Sequence, residues 1–349
     1  MRYRIIILLL VIFALSACHK DNPVIPSGDT EILSLNSDSL AYGDTLIIKG
    51  KFFGSSMPGK RLIFDSLVSV NSNECLLWHN SEIHLVIPNG TRSGMAYLYF
   101  DTLAIDSTYI GISKVPFFDV VEVKAGKFTR GSNVSSLNEM PAREIAISSD
   151  FYISKYEVNQ RVYQAVTGSN PSNVKDIRLP VDSISWLAAV EFCNKLSAMH
   201  NLESVYTVTG IDVTMDTAKT GWRLPTEAEW EYACRAGTQG DFAGSGILNE
   251  MAWYSENSGM KMHPGGRKKA NDFGIYDMHG NVWEWCWDFY GGQYYSTSPD
   301  VNPLGPATGN SRVMRGGSWS DGMNFARSSN RSLPLQIGSN TGIRIIRKK

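Results

Sequence analysis

From Val115 to the C-terminus the chain is rich in glycine and aromatic residues and poor in regular hydrophobic periodicity, a texture that few architectures accommodate. Three stretches carry helix punctuation. Asn159 can cap a short helix through Val162, Tyr163 and Val166 that ends at Gly168. Ser185 can cap the run Trp186 to Met199, with Leu187, Val190, Cys193 and Leu196 on one face. Thr226 with Glu229 forms a capping box after Pro225, and Gly237 marks the stop. Between and after them lie glycine-rich, aromatic-rich segments with few clear strands. Short helices bury little apolar surface by themselves, so this half must be held by dense aromatic packing or by bound cations. The composition agrees: 31 Gly, 15 Tyr and 9 Trp, with 19% charged against 43% hydrophobic residues. Disorder, collagen and coiled coil are excluded. A net charge of -1 argues against nucleic acid as the main ligand, which requires a surplus of Lys and Arg on one face.

The N-terminus is of another kind. Arg2 and Arg4 precede an apolar run from Ile5 to Leu15, which is too short for a bilayer core that needs about 20 residues. It reads as an export signal over residues 1–17. Leu15-Ser16-Ala17-Cys18 resembles the bacterial lipobox, which implies lipidation of Cys18 and a membrane anchor without a spanning helix. His19 after the lipidated residue favours the outer membrane. Residues 18–30, with two prolines, form a tether. From Glu31 to Ser113, short apolar alternations such as Leu46-Ile47-Ile48 and Ile83-His84-Leu85-Val86-Ile87 are broken by turns at Pro58-Gly59 and Asn89-Gly90. This pattern predicts a β-sandwich. Gly43, Thr45, Ile48, Gly50, Phe53 and Gly54, then Trp78, Ile83, Val86, Pro88 and Gly94, resemble immunoglobulin-like IPT/TIG domains, which act mostly as spacers or interaction modules. Trp78 is expected in the core.

The C-terminal half carries a more specific resemblance. Val120-Val121-Glu122-Val123 with Gly126, Phe128 and Gly131 opens it, and Tyr156-Glu157-Val158 follows. Next come Val181, Ser185-Trp186, Ala189 and Phe192-Cys193, then the block from Trp222-Arg223-Leu224-Pro225-Thr226-Glu227 to Ala233. Asn271, Gly274, Tyr276-Asp277-Met278 and Gly280-Asn281-Val282-Trp283-Glu284-Trp285 form a second signature. Arg315-Gly316-Gly317-Ser318-Trp319 and Gly342-Ile343-Arg344 close the order. Residues 115–348 thus resemble the formylglycine-generating-enzyme (sulfatase-modifying factor) domain, an irregular α+β fold related to C-type lectins.

Active members of that family oxidise a substrate cysteine with copper(I) held by two cysteines. The resemblance places those thiols two and seven residues after the aromatic of the Gly-Gly-Ser-aromatic motif, where this chain has Asp321 and Ala326. Alanine has no donor atom and a carboxylate is a hard one, whereas Cu(I) requires soft thiolates. No copper and no catalytic pair are therefore expected, with Ser318 and Trp319 flanking the degenerate positions. The resemblance also implies a calcium held by Asp277 and by backbone oxygens around Met278, Gly280 and Val282; hard oxygen donors suit Ca²⁺. Its second calcium site falls on Ser255 to Lys269, too short and basic here, with Arg267-Lys268-Lys269 a solvated loop.

Cys193 and Cys234 match family positions paired in some animal members with cysteines where this chain has Arg331 and Ile345. Both are expected to be free and buried, and Cys286 to be packing. Cys75, Cys193, Cys234 and Cys286 show no C-x-x-C spacing, and the six histidines lack the His-x3-His-x-Glu cluster of the family's iron-dependent branch. Asp288-Phe289-Tyr290 with Tyr294-Tyr295 could stack a sugar, but such residues more often pack a loop-rich core. Ser318 is no nucleophile elbow.

The expectation is a multidomain envelope lipoprotein: a β-sandwich spacer, then a non-catalytic module with a protein or glycan partner. The competing readings are a formylglycine-type oxidase, another oxygen-dependent enzyme, or a scaffold of a secretion or gliding apparatus. Replacing Cys18 with Ser should release the protein from membranes. A variant that still sediments with them after a salt wash would contradict the lipobox reading.

Overall fold

The structure, a computed structural model, describes residues 30–37, 39–41, 45–64, 68–87, 94–113, 118–333 and 340–349. The export signal, Cys18, most of the tether, and Gly43, Pro88, Asn89 and Gly90 of the turn and family readings lie outside the described residues.

The N-terminal unit consists of two sheets. One runs in the order Glu31–Leu35, Thr45–Lys51, Glu82–Val86, Leu77–Trp78. The other runs Ser39–Ala41, Leu103–Ser113, Gly94–Phe100, Lys60–Phe64, Val68–Asn71. Alternation decides which side chains face inward: Leu46 and Ile48 are buried while Lys49 and Lys51 are exposed. Leu46, Ile48, Ile83 and Leu85 of the first sheet share one core with Leu62, Phe64, Ala96 and Leu98 of the second. Trp78 belongs to it, its indole N–H donating to the Phe53 carbonyl at 3.2 Å.

The C-terminal unit holds three helices of two turns or more among the described residues: α1 (Gln160–Thr167), α2 (Trp186–Met199) and α3 (Glu227–Arg235). Their caps are those the sequence specifies. The Asn159 side chain accepts from the Val162 amide at 2.8 Å, and Ser185 from Ala188 at 3.1 Å. At α3, Thr226 accepts from the Glu229 amide while Glu229 accepts from the Thr226 amide. One detail differs from the sequence reading. The helix ends one residue before the expected stop, with Ala236 itself left-handed at φ 45° ahead of Gly237.

Strands Val120–Val123 and Ile346–Lys348 both pair with Phe151–Ser154, so one sheet closes the beginning and the end of the unit together. Trp283–Phe289 lies between Arg312–Arg315 and Thr341–Gly342. The α2 face (Ala189, Val190, Phe192, Cys193, Leu196) packs in a core with Trp222, Trp283 and Trp285. Trp230 and Cys234 of α3 lie in a second core with Phe128, Phe151 and Cys286. The three buried cysteines are free and serve as packing, and burial pushes their thiols well above the usual range.

Aromatic packing is half of what holds the loops. The other half is a lattice of buried arginines, cations that are part of the chain. Arg315, fully buried, donates to Glu231 of α3 at 2.5 Å and to the carbonyls of Ser328 (3.0 Å), Ser329 (2.8 Å) and Asn330. Arg331 grips Glu227 with two hydrogen bonds (2.5 and 2.8 Å) and ties the Asn138 and Gly291 carbonyls. Arg235 joins Glu231 to the carbonyls of Gly131 and Gly240. Arg344 binds Glu284 through both carboxylate oxygens and the carbonyls of Ser154 and Tyr276. Guanidinium suits the task because it offers five donors in a planar fork. The pairs stacked on Tyr295 complete it: Arg130 lies 3.8 Å and Arg331 4.2 Å from its ring centre.

Removing one member of such a pair leaves an uncompensated buried charge. Glu231→Gln or Arg315→Met should therefore cost about 3–5 kcal/mol, measured by urea unfolding. Glu144→Ala, whose ion pair with Lys127 is exposed, should leave stability almost unchanged. Equal effects at the two sites would remove the lattice from the account.

Candidate functional site

Three segments meet at the expected copper positions: Gly316–Asp321, Met323–Ala326 and the signature Gly280–Trp283. The first is a tight loop. Gly317 has φ 78°, and a Cβ there would lie 3.0 Å from the Phe325 backbone. Asp321 locks the loop shut. One of its carboxylate oxygens accepts from the Ser318 amide (3.0 Å), the Ser318 hydroxyl (2.5 Å) and the Trp283 indole N–H (2.9 Å). Ser318 is 1% exposed and is the donor in this contact, so its hydroxyl is a structural group. Ala326, also buried, packs its methyl with Leu248, Ala252 and Tyr254. Its carbonyl lies 2.6 Å from His279 Nδ1.

His279 was not singled out by sequence, although it stands between two signature residues. It is buried, and Nε2 accepts from the Ala243 amide at 3.0 Å, which places the proton on Nδ1. Burial, outweighing the Ala326 hydrogen bond, holds its pKa down to about 4. The neutral ring thus connects the loop before Leu248–Met251 to the segment that carries Ala326.

The signature Gly280-Asn281 builds a second neighbourhood. Gly280 has φ 79°, and a Cβ would fall 2.0 Å from the Trp253 carbonyl, so only glycine fits. Every polar group of Asn281 is engaged. Its amide donates to Trp253 O, its carbonyl accepts from the Trp319 amide, and its side chain exchanges bonds with His263 and donates to Glu157 at 3.1 Å. Asp277, 2% exposed, accepts from the Gly266 amide through Oδ2 at 2.7 Å, while its Oδ1 has no partner. Glu157 repeats the arrangement: Oε2 is held by Asn281 and Oε1 is buried without a partner. Burial raises the pKa of Asp277 to about 6, and burial with the nearby Asp277 and Glu284 charges raises Glu157. Met278, whose carbonyl the resemblance assigns to calcium, turns that oxygen toward the Cys234 thiol at 3.8 Å.

Other expectations resolve into packing. Asp288 caps α3, accepting from the Glu227 amide at 2.7 Å, and burial pushes its carboxyl up to about 8. Tyr295 is fully buried between two arginines, and Phe289 lies under Arg312 at 3.5 Å. Arg331 and Ile345, at the positions where the resemblance implies cysteines in some members, are an ion-pair donor and a core residue. The Arg267-Lys268-Lys269 loop is not simply solvated: Lys268 lies 4.0 Å over the Trp253 ring and Lys269 pairs with Glu250. Among the described residues no group of three or more His, Cys, Asp or Glu gathers around a common point for a metal. No helix among them is long and apolar enough to cross a membrane.

A family model for the sulfatase-modifying factor enzyme 1-like domain matches residues 112–349. The chain belongs to this family. The chaperone protein LppX of Paenibacillus barcinonensis is 34% identical over 269 residues, covering 66% of this chain and 90% of that protein. The formylglycine-generating enzyme of Streptomyces coelicolor is 38% identical over 123 residues, 31% of this chain and 39% of its own length. Among solved structures, Treponema denticola variable protein 1 superposes with a TM-score of 0.62 at 34% identity, covering 66% of this chain and 95% of that one. The family therefore spans the C-terminal unit, and none of these matches reaches across the whole chain.

The His279 latch has a pH signature. Its pKa is about 4 folded against about 6.5 unfolded, so its contribution is complete above about pH 6.5 and is lost as pH falls toward 4. The loss is about 3 kcal/mol at most. Asp277 and Asp288, with raised values, shift in the opposite sense, so the measurement is a difference. Wild type should lose about 3 kcal/mol more than His279→Gln between pH 6.5 and 4. Parallel curves would show that the imidazole charges without cost.

Proposed function

We propose that this protein is a lipid-anchored component of the bacterial cell envelope, held at the outer membrane through Cys18. In this reading its sulfatase-modifying-factor-like domain binds a protein or glycan partner and performs no oxidation. The N-terminal β unit, as an IPT/TIG-type immunoglobulin-like module, spaces that domain from the membrane.

The observation that carries the reading is the Asp321 carboxylate. At a position where the resemblance expects a copper thiolate, one oxygen takes three hydrogen bonds that close the Gly316–Asp321 loop. At the other position a methyl group is buried in a small apolar core. Both sites are committed to structure, and neither offers a soft donor. The likeness to LppX, a protein named as a chaperone, supports a partner that is itself a protein.

Incubated with Cu(I), oxygen and a peptide containing Cys-x-Pro-x-Arg, the protein should give no formylglycine by mass spectrometry. The double change Asp321→Cys with Ala326→Cys should restore Cu(I) affinity and lower stability by about 2–3 kcal/mol, since donors that Asp321 satisfies lose their acceptor. Conversion by the unaltered protein would overturn the non-catalytic reading in favour of an oxidase.

A further inference from the structure

A recess of about 200 Å³ opens where the start of α3 meets the turn between the strands Arg143–Ile147 and Phe151–Ser154. It shares no residue with the Gly316–Asp321 loop or with the Gly280-Asn281 neighbourhood. We propose that this recess binds one neutral sugar ring, a hexose at the end of a glycan. The proposal stands whether or not the domain also holds a protein partner.

The recess is built before any ligand arrives. Its floor is the Arg223–Glu229 ion pair, joined by two hydrogen bonds of 2.7 Å. The Thr226 amide locks the same carboxylate at 2.8 Å. Buried Ile147 and Phe151 supply the apolar part of the lining. The segment that carries Asn302 and Leu304 is pinned to the strand turn. Asn302 Oδ1 accepts from the Ser148 amide at 2.9 Å, and the Asn302 amide donates to the Ala146 carbonyl at 3.0 Å. Asp150 is fixed by the Ala125 amide (2.9 Å) and by Lys124 (3.0 Å). Walls already in place lower the ordering cost of binding.

The lining selects the class of ligand. Its ionisable groups are two acids, Asp150 and Glu229, and two bases, Arg223 and Lys348, so their formal charges cancel. Arg223 is spent on Glu229 and Asp150 on Lys124, which leaves a charged ligand little to pair with. What remains is a rim of groups that both give and take hydrogen bonds. The exposed hydroxyls of Ser149 and Thr217 make no hydrogen bond among the described residues, and each can donate and accept as a sugar hydroxyl does. Leu304, 43% exposed, offers an aliphatic surface for the C–H side of a ring. Size sets the number of rings. Pockets for drug-sized ligands run to about 300–1,000 Å³, so this smaller recess takes one ring and leaves the rest of a glycan outside.

Saturation-transfer NMR on the full chain tests this, with methyl α-glucoside, methyl β-galactoside and methyl α-mannoside as the probes. At least one should receive saturation from the protein, with a Kd on the order of millimolar, as expected for so few ligand atoms. Thr217→Trp, which sets a large ring at the mouth, should abolish the signal. Leu304→Ser, which removes the aliphatic surface, should weaken binding about fivefold. Both positions are exposed, so both variants should melt within about 2 °C of wild type, and a lost signal then reports on the recess and not on folding. Glycerol, a polyol without a ring, should receive no comparable saturation. The proposal is overturned by no transfer to any of the glycosides, or by wild-type transfer in Thr217→Trp. It is equally overturned by glycerol matching the glycosides, or by glucuronate displacing them as the better ligand.

Discussion

The fold of the family domain depends on helix α3 and the charges it carries into the interior. In nine residues it places Glu227, Glu229, Glu231 and Arg235 against Arg331, Arg223, Arg315 and the Gly131 carbonyl, in four separate stretches of the chain. Loops ordinarily lie at the surface because their polar groups would go unsatisfied inside. Here arginine guanidinium groups do for loop carbonyls what a neighbouring strand does in a sheet. Arg315 alone accepts responsibility for three successive carbonyls, those of residues 328–330. Lysine could not replace it, because an ammonium has no planar fork to span that geometry.

This division of labour explains which part of the molecule can bear function. The lattice and the two aromatic cores fix the segments around Asp321, Ala326 and Asn281, and those segments hold their side chains by hydrogen bonds that leave few groups free. At Asp321, one carboxylate oxygen is held by the Ser318 amide and hydroxyl and by the Trp283 indole. Buried polar atoms without a partner include Glu157 Oε1 and Asp277 Oδ1, and also Trp319 Nε1 in the Gly316–Asp321 loop and Arg315 Nε in the lattice.

Much of this was legible in the sequence, and the limits have physical reasons. Helix caps are local, so Asn159, Ser185 and the Thr226–Glu229 box could be read directly. The alternation of Leu46 and Ile48 and of Ile83 and Leu85 likewise marks the inward faces of the N-terminal strands. The fate of Cys193, Cys234 and Cys286 followed from their apolar neighbours. What could not be read was long-range pairing: nothing near Arg331 in the chain points to Glu227, about a hundred residues earlier. The same holds for Glu157 with Asn281 and for His279 with Ala326. The left-handed Ala236 has no local signal, since glycine is the residue that conformation ordinarily takes. The Lys268 ammonium over the Trp253 ring is equally illegible, because a cation–ring contact leaves no periodic trace in the sequence.

If the buried charges knit the loops into one cooperative body, loop amides should be as hard to expose as helical ones. Native-state hydrogen exchange measures this directly. The amide of Gly131, bound to Glu231, and that of Ala243, bound to His279, lie in irregular backbone. Both should exchange only through global unfolding, at the same free energy as the amides of α3. Exchange of Gly131 and Ala243 through local openings several kcal/mol below the helix would contradict the account. It would reduce the lattice to a set of contacts on an otherwise mobile surface.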